Sequence, residues 1–518
     1  MDSYDYVIVG AGSAGCVLAA RLSADPDVRV ALIEAGGPDT AQEIHVPAAF
    51  SQMFMTDLDW ALDSEPEPGL DGRRIYLPRG RMLGGCSSIN AMIYIRGNRA
   101  DYDGWSAGGA TGWSYEEVLP YFRRSEDNQR GESRFHGAGG PLTVSDGRSH
   151  HPLATAFVEA AVQAGYKHNE DFNGEAQLGV GAYQLTQRAG LRCSAAVAYL
   201  HPAMARPNLT VLSGARAHRL VFEDGRAAAV DVERNGTVAP VRAEREVIVS
   251  AGAYESPKLL MLSGIGPAAV LAPFGIGVVA DLPVGEGLQD HVMSLLNFRT
   301  DVESLLTAAT PGNVELLQRE GRGPLTSNVG EAGGFFCTRA DSTVPDVQFH
   351  AAPVLFHQGG LGPVREHGFA FGPAVVAPTS RGYVTLRSAR PDAAPRILHN
   401  YLTTPEDRES IVAGVRIARE IAAQRPVAGL VTGAFDVPAS DSDADVLAWV
   451  RRVGMTLYHP TSTCAIGSVV DPQLRVYGVA GLRVVDASVF PSVPRGNTNA
   501  PTIMAAEKAA DLIQEVTR

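Results

Sequence analysis

Three glycines and one glutamate near the beginning of the chain have the types and spacing of a dinucleotide-binding site. Gly10, Gly12 and Gly15 form the pattern G-x-G-x-x-G, and Glu34 follows the third glycine after nineteen residues. In this pattern the first glycine makes a tight turn, the second admits a pyrophosphate, and the third lets a helix pack against a strand. The carboxylate would accept hydrogen bonds from a ribose. The contacts predicted in this segment are Gly10, Gly12, Ser13, Ala14, Gly15, Glu34 and Ala35.

A second loop of small and polar residues, residues 81–92, lies far outside this first segment. Its glycines would permit close backbone approach, and Ser87 and Asn90 offer polar contacts. A nicotinamide-binding domain has no obvious need of such a loop, so its presence favours FAD as the dinucleotide. A helix cap or a surface turn is the alternative interpretation. The contacts predicted in and beside this loop are Arg81, Gly84, Gly85, Ser87, Asn90, Ala91, Met92 and Ile93.

The last helical segment opens on the residues GNTNAPT, residues 496–502. Asn499 can cap a helix, and Pro501 suits a first helical turn. A helix N-terminus also stabilises negative charge, which a reduced flavin carries around N1 and the C2 oxygen. An amphipathic closing helix with an ordinary cap is the alternative. This segment and the strand-like run before it predict contacts at Asp486, Ala487, Pro501 and Thr502, and Ala217 completes the predicted cofactor set.

Strands and helices of an α/β fold would hold these residues in place. Residues 6–9 and 28–33 are apolar runs typical of strands, and residues 16–23 between them have helical spacing. Residues 482–486 predict a late strand that ends in an acid. The order strand, glycine turn, helix, strand, acid is that of a dinucleotide-binding unit.

Composition and charge limit the class of protein. A length of 518 residues predicts two or three domains, and a net charge of −13 argues against nucleic acid as a partner. The five cysteines stand singly, so neither a disulfide framework nor a metal site is predicted. No secretion signal is recognised and no run of eighteen apolar residues occurs, so we expect a cytoplasmic protein without a transmembrane segment. A small-molecule partner fits best.

Three long segments resemble the GMC (glucose–methanol–choline) oxidoreductase family. They are PRGRMLGGCSSINAMIYIRGNRADYDGW at 78–105, SAGAYESPKLLMLSGIGP at 250–267, and TLYHPTSTCAIG at 456–467 with the block at 484–513. The pattern is most similar to members that act on choline, aryl alcohols or hydroxymethylfurfural. The resemblance implies a mixed α/β and α+β fold, in which a Rossmann-type FAD-binding domain interleaves with a substrate domain built on a large antiparallel sheet. The expected cofactor domain comprises residues 1–155, 192–290 and 455–518, and the substrate domain comprises 156–191 and 291–454.

The resemblance also implies a chemistry, the oxidation of an alcohol to a carbonyl compound. His459 matches the family's catalytic base and Asn499 its partner, with Asn497 as the alternative; without the family, a histidine before proline would more often be structural. Members with covalent flavin have a histidine where this chain has Ile89, so non-covalent FAD is expected. A lyase or decarboxylase on the same scaffold is the alternative function.

Several properties stay open at the level of sequence. The electron acceptor is O2 or another compound, the protein is a monomer or a small homo-oligomer, and the alcohol is undetermined. Glu331, His350 and Leu457 are candidates for the substrate pocket.

Overall fold

The computed structural model describes residues 3–516. The first two and last two residues of the expected cofactor domain therefore lie outside the described part of the chain. None of the described helices is long and apolar enough to cross a membrane.

The longer helices, of eight residues or more, are Ser13–Leu22, Arg99–Ala107, Tyr115–Ser125, Pro152–Gln163, Gly252–Leu262, Pro311–Glu320, Pro405–Ala422, Asp443–Val453 and Asn499–Val516. Shorter helices are Gln42–His45, His201–Ala203, Ala268–Leu271 and Arg425–Ala428.

A seven-stranded sheet contains the predicted dinucleotide unit. Its strands lie in the order Leu209–Leu212, Val30–Ile33, Ser3–Val9, Thr237–Val249, Arg226–Arg234 and Ala215–Glu223, with Leu482–Val484 beside Thr237–Val249. The strands nearest the glycine turn pair in parallel, while 215–249 forms an antiparallel meander. Parallel strands buried on both faces need apolar runs, and Val30–Ile33 is buried at every position.

An eight-stranded antiparallel sheet forms the second layer. Its main path is Gly433–Asp436, Leu296–Arg299, Gly368–Val375, Val347–Ala352, Ala332–Phe336 and Gly179–Ala182. The short strands Val292–Met293 and Met455–Thr456 pair with each other, and the former also pairs with Gly368–Val375. The helix Pro152–Gln163 packs on this sheet. The parallel strands of the first sheet and the antiparallel strands of the second confirm the predicted fold class.

Element bounds differ from the predictions in a few places. The last helix begins at Asn499, so Asn499 is its first residue and not a cap outside it. Gly382–Thr385 lies within the residues expected for the substrate domain, but it forms a three-stranded sheet with Glu286–Leu288 and Arg396–Leu398, separate from the large antiparallel sheet. A short apolar run does not specify which sheet it joins, because the pairing depends on distant strands.

The remaining strands form small sheets at the periphery. They are Leu62–Asp63 with Tyr76–Leu77; Glu126–Asn128, Leu142–Asp146 and Gln184–Leu185; and Gln187–Arg188 with Leu191–Arg192.

Candidate functional site

A long cavity begins at the glycine turn. A Cβ atom on Gly15 would lie 1.9 Å from the carbonyl oxygen of Gly10, so this glycine is required for the helix Ser13–Leu22 to pack on the first strand. A Cβ atom on Gly12 would meet no atom within 4 Å among the described residues. The same helix has no side-chain cap at its N-terminus. The turn therefore offers open space and unpaired N–H groups, which is what a pyrophosphate requires.

Glu34 is held at the edge of this cavity by main-chain donors. Its Oε2 accepts from Ala11 N at 2.9 Å, and its Oε1 accepts from Gly36 N at 2.8 Å. Burial raises the pKa of the Glu34 carboxyl, and the two N–H bonds oppose that rise. Each carboxylate oxygen has a second acceptor direction, so the group can still receive a ribose hydroxyl.

The second glycine loop packs directly on the first. A Cβ atom on Gly85 would lie 2.7 Å from Gly12 Cα, and Gly84 N donates to Ala11 O at 2.8 Å. Ser87 is used inside the loop, because its Oγ donates to Gly84 O at 2.6 Å and accepts from the main-chain N of residue 195 at 2.9 Å. Asn90 lines the cavity beyond this point. The loop thus extends the cavity away from the glycine turn.

The end of the cavity beyond the second glycine loop contains His459, whose ring faces that of His291. His459 Nδ1 lies 3.0 Å from His291 Nδ1, and His459 Nε2 lies 3.2 Å from Asn497 Nδ2. The two histidines are neighbours because Val292–Met293 pairs with Met455–Thr456. Asp290 Oδ1 accepts from the main-chain N of both histidines, at 2.7 Å from His459 and 2.9 Å from His291. The sheet register therefore fixes the position of the imidazole.

Burial keeps these imidazoles neutral. Removal from water lowers the pKa of His459 well below its usual value, and the neighbouring His291, His350 and Arg79 lower it further. Burial likewise lowers the pKa of His291 to about 3 and that of His350 to about 4. A neutral imidazole has one nitrogen free to accept a proton, which is the state required of a general base.

The two asparagines of the terminal segment have different partners. Asn499 Oδ1 accepts from Ser13 Oγ at 2.7 Å, so its side chain joins the N-termini of two helices. Asn497 stands two residues earlier, outside the helix, and contacts His459. The sequence favoured Asn499 as the partner of His459, whereas the structure brings Asn497 there. The difference arises because the helix begins at Asn499, which directs that side chain towards the glycine turn.

Most of the predicted residues meet in this one cavity. Those in its lining are Gly10, Gly12, Ser13, Ala14, Glu34, Ala35, Gly85, Asn90, Ala91, Met92, Ile93, Ala217, His459, Asp486, Ala487, Asn499 and Thr502. Five predicted residues lie behind the lining: Gly15, Arg81, Gly84, Ser87 and Pro501. Arg81 instead places its guanidinium 5.2 Å from the centre of the Trp60 ring.

Of the three pocket candidates left open by the sequence, two line the cavity and one does not. His350 and Leu457 line the cavity, and both ring nitrogens of His350 are buried without a hydrogen-bond partner among the described residues. Glu331 lies outside the lining, where it accepts from His151 N at 2.8 Å and from Ser327 Oγ at 2.5 Å. Glu331 is therefore a structural carboxylate.

Sequence reasoning missed several lining residues. Ser250, Gly252 and Glu255 lie in the segment at 250–267 that carried the resemblance, so a signal existed without an assigned role. Met293 and Leu295 also line the cavity, while His291 lies outside the lining and contacts His459; no local pattern in the sequence marks these three residues.

The donor set of the cavity fits FAD. The Ser250 Oγ and Glu255 Oε1 atoms are buried without a partner among the described residues, and both residues line the cavity. With the uncapped helix, the open space at Gly12 and the carboxylate of Glu34, they supply both donors and acceptors for a ligand rich in phosphate and hydroxyl groups.

Comparison with known proteins agrees with this site. Two family models described as GMC oxidoreductase match residues 4–293 and 378–506. The human mitochondrial choline dehydrogenase is 45% identical, over 99% of this chain and 90% of that protein. An alcohol dehydrogenase (acceptor) of Pseudomonas putida is 43% identical, over 98% of this chain and 95% of that protein. The crystal structure of a pyridoxine 4-oxidase from Mesorbium loti superposes with a TM-score of 0.89 at 33% identity, covering 99% of each chain.

These relatives match the chain almost from end to end, so the match includes the glycine turn, both large sheets and the cavity. The chain belongs to the GMC oxidoreductase family, FAD-dependent enzymes that act on the CH–OH group of their donors.

Proposed function

We propose that this protein oxidises an alcohol to a carbonyl compound, with His459 as the base that removes the hydroxyl proton. The observation that carries the proposal is the buried, neutral imidazole of His459 facing Asn497 across 3.2 Å in a cavity continuous with the glycine turn. Bound FAD would supply the acceptor for the hydride from the carbinol carbon. The chain's own residues bind the alcohol, orient it and hold its proton.

Asn497 takes the role of partner to His459. Its Nδ2 group can donate to the alcohol oxygen while His459 Nε2 accepts the proton, and the donated bond strengthens as negative charge develops on that oxygen. Asn499 acts on the cofactor side, since its hydrogen bond with Ser13 Oγ joins the two helix N-termini that line the cavity. The remaining lining residues from the two glycine loops and the terminal helix would hold the nucleotide and the flavin.

The cofactor is held without a covalent bond. Ile89 lines the cavity and has no nucleophilic atom. Precipitation of the holoprotein with acid should leave a yellow supernatant and a colourless pellet. Flavin that stays with the pellet would contradict this assignment, and Cys86, which also lines the cavity, would then be the residue to replace.

The substrate is a neutral alcohol with an apolar body. Two apolar clusters form the walls near His459, and Phe356 packs against both; the lining members are Met293, Leu295 and Leu457 in one, and Phe50, Phe54 and Ile89 in the other. The carboxylates among the described lining residues are Glu34, Glu255 and Asp486. Glu34 bonds the glycine-turn amides, Glu255 pairs with Lys258 at 2.9 Å, and Asp486 accepts from Gly252 N at 2.9 Å.

These three carboxylates lie on the Rossmann-type side, and Asp290, which is outside the lining, already accepts from the main-chain N of His459 and His291, so a cationic substrate would meet no carboxylate in the described cavity wall near His459. The guanidinium of Arg79, which lines the cavity and donates to Tyr458 O at 2.8 Å, adds positive charge there. Choline and its uncharged isostere 3,3-dimethylbutan-1-ol make a matched pair of substrates. The isostere should reduce the enzyme at the lower concentration, and the opposite order would contradict a neutral substrate.

Anaerobic mixing of the holoprotein with a panel of alcohols tests the function itself. Alcohol oxidation should bleach the visible absorbance of the flavin, whereas a lyase or a decarboxylase would consume its substrate with the flavin still oxidised. Admission of air then separates an oxidase, which releases peroxide, from a dehydrogenase that needs another acceptor. The division into interleaved cofactor and substrate domains, the cytoplasmic setting and the oligomeric state stay predictions.

A further inference from the structure

A continuous line of hydrogen bonds leads from a main-chain carbonyl to the active-site amide. The hydroxyl of Tyr183 donates to Phe349 O at 2.6 Å. A phenol has one hydrogen, so the same oxygen must accept from Gln348 Nε2, which lies 3.2 Å away. Gln348 Nε2 donates its second hydrogen to Asn497 Oδ1, and the nitrogen and oxygen are 3.0 Å apart. Because a carbonyl can only accept, every donor in this line has a fixed direction.

The same line continues through both histidines. With its Oδ1 engaged, Asn497 presents Nδ2–H to His459 Nε2 at 3.2 Å. Nε2 must therefore carry the lone pair, and the neutral ring carries its hydrogen on Nδ1. That hydrogen points at His291 Nδ1, 3.0 Å away, which accepts it. The hydrogen of His291 is then on Nε2, a buried atom without a hydrogen-bond partner among the described residues.

We infer that Tyr183, Gln348 and His291 are positioning residues that fix the tautomer of His459 so that Nε2 is the basic nitrogen. The inference rests on the proposed function, in which Nε2 receives the alcohol proton. The opposite tautomer would carry a hydrogen on Nε2 and could not accept the proton. All three side chains are buried, with 1% or less of their surface exposed, so water cannot replace their hydrogen bonds.

The antiparallel sheet positions the three residues that we assign this role. Gln348 lies within Val347–Ala352, Tyr183 directly follows Gly179–Ala182, and His291 directly precedes Val292–Met293. A paired sheet holds such side chains at fixed separations, which an exposed loop would not do. The protonation site of the base is thus a consequence of strand register.

The tautomer can be observed directly, without any turnover. Nitrogen-15 NMR of the holoprotein labelled at histidine distinguishes protonated from unprotonated ring nitrogens, and comparison with His459→Ala identifies the signals of residue 459. At neutral pH we expect the hydrogen on Nδ1 and a free Nε2. A hydrogen on Nε2, or on both nitrogens, would overturn the inference. This measurement stands even if no alcohol is oxidised, so its failure is distinct from failure of the proposed function.

Two pairs of variants separate polarity from packing in the active enzyme. His291→Asn keeps an acceptor towards His459 Nδ1, whereas His291→Leu removes it in a side chain of similar size. The leucine variant should reduce flavin roughly 10- to 100-fold more slowly than the asparagine variant, which is part of the effect of losing a general base. Equal rates for the two would contradict the role of His291.

The second pair is at Gln348. Gln348→Glu keeps the shape of the side chain but cannot donate, so the Asn497 amide should turn its Nδ2 group towards residue 348 and its Oδ1 towards His459. Gln348→Met removes the hydrogen bond and lets that amide adopt either orientation. The glutamate variant should be the slower of the two and should show protonated Nε2 on His459 by the same NMR measurement. A purely structural role for Gln348 predicts the reverse order, because glutamate is the closer match in shape. Flavin content, read from the visible spectrum, controls for misfolding in all four variants.

Discussion

Two glycines separated by three positions should respond in opposite ways to the same added methyl group. Gly15→Ala would bring Cβ to 1.9 Å from Gly10 O, a distance that real Cβ contacts do not reach. The helix Ser13–Leu22 would have to move away from the first strand by roughly 1 Å, which forfeits a quarter to a half of each affected van der Waals contact. Overpacking of this kind costs about 1–3 kcal/mol, and the better helix propensity of alanine returns about 1 kcal/mol of that.

Gly12→Ala should leave the folded chain almost unchanged. No described atom lies within 4 Å of the new methyl group, and the backbone at Gly12, with φ −78° and ψ −162°, is open to alanine. The methyl group would instead occupy the space proposed for the pyrophosphate. An overpacking cost of about 1–3 kcal/mol at that contact corresponds to a loss of FAD affinity of about 5- to 150-fold.

The assay compares both variants with the wild-type apoprotein in urea unfolding and in titration with FAD. We expect Gly12→Ala to unfold like the wild type, within about 0.5 kcal/mol, but to bind FAD weakly. Gly15→Ala should unfold at lower urea concentration before any cofactor is added. Wild-type FAD affinity in Gly12→Ala would refute the assignment of the glycine turn to the pyrophosphate, and wild-type stability in Gly15→Ala would refute the packing argument.

Four further predictions concern the catalytic end. His459→Ala should slow flavin reduction by about 10²–10⁴-fold while FAD stays bound, as stopped-flow and visible spectra would show; an unchanged rate would remove His459 as the base. Asn497→Ala should slow reduction, whereas Asn499→Ala should chiefly weaken retention of FAD on gel filtration; the reverse pattern would favour Asn499 as the partner of the base. Because burial lowers the pKa of His459, the reduction rate should stay level as pH falls through 6.5, and a fall centred there would contradict a neutral buried base. Burial lowers the pKa of His350 to about 4 in the folded chain, whereas the unfolded chain takes up this proton near pH 6.5. The free energy of unfolding should therefore decrease by up to about 3 kcal/mol as the pH falls from 6.5 to 4. Urea unfolding at pH 7 and at pH 5 should show a smaller decrease in His350→Gln than in the wild type.

Local patterns predicted the cofactor side well. The glycine turn, the first helix and the strands around it are specified by neighbouring residues, and Ser3–Val9, Ser13–Leu22 and Val30–Ile33 lie within a few residues of their predicted bounds. Glycine spacing carries this information because each glycine answers a steric demand made within about twenty residues. The part of the cofactor site from Gly10 to Ala35 can therefore be predicted from one short segment.

The substrate side depends on contacts between distant parts of the chain. His291 meets His459 through a two-residue strand pair, and Gln348 reaches Asn497 from the second residue of another strand. The choice between Asn497 and Asn499 turned on the residue at which the last helix begins, and helix ends are the least certain part of any sequence reading. These relations arise from register and cannot be obtained from spacing alone.

The three residues from Asn497 to Asn499 link the two halves of the site. One asparagine touches the imidazole held by the antiparallel sheet, and the other touches Ser13 beside the parallel sheet. An insertion or deletion within this link would change the distance between the two parts of the site, whereas an apolar exchange at a wall residue outside the strand pair that holds the histidines, such as Leu295, would not. A laboratory that wishes to redirect this scaffold to new alcohols could therefore vary such wall residues while keeping the link and the strand pair unchanged.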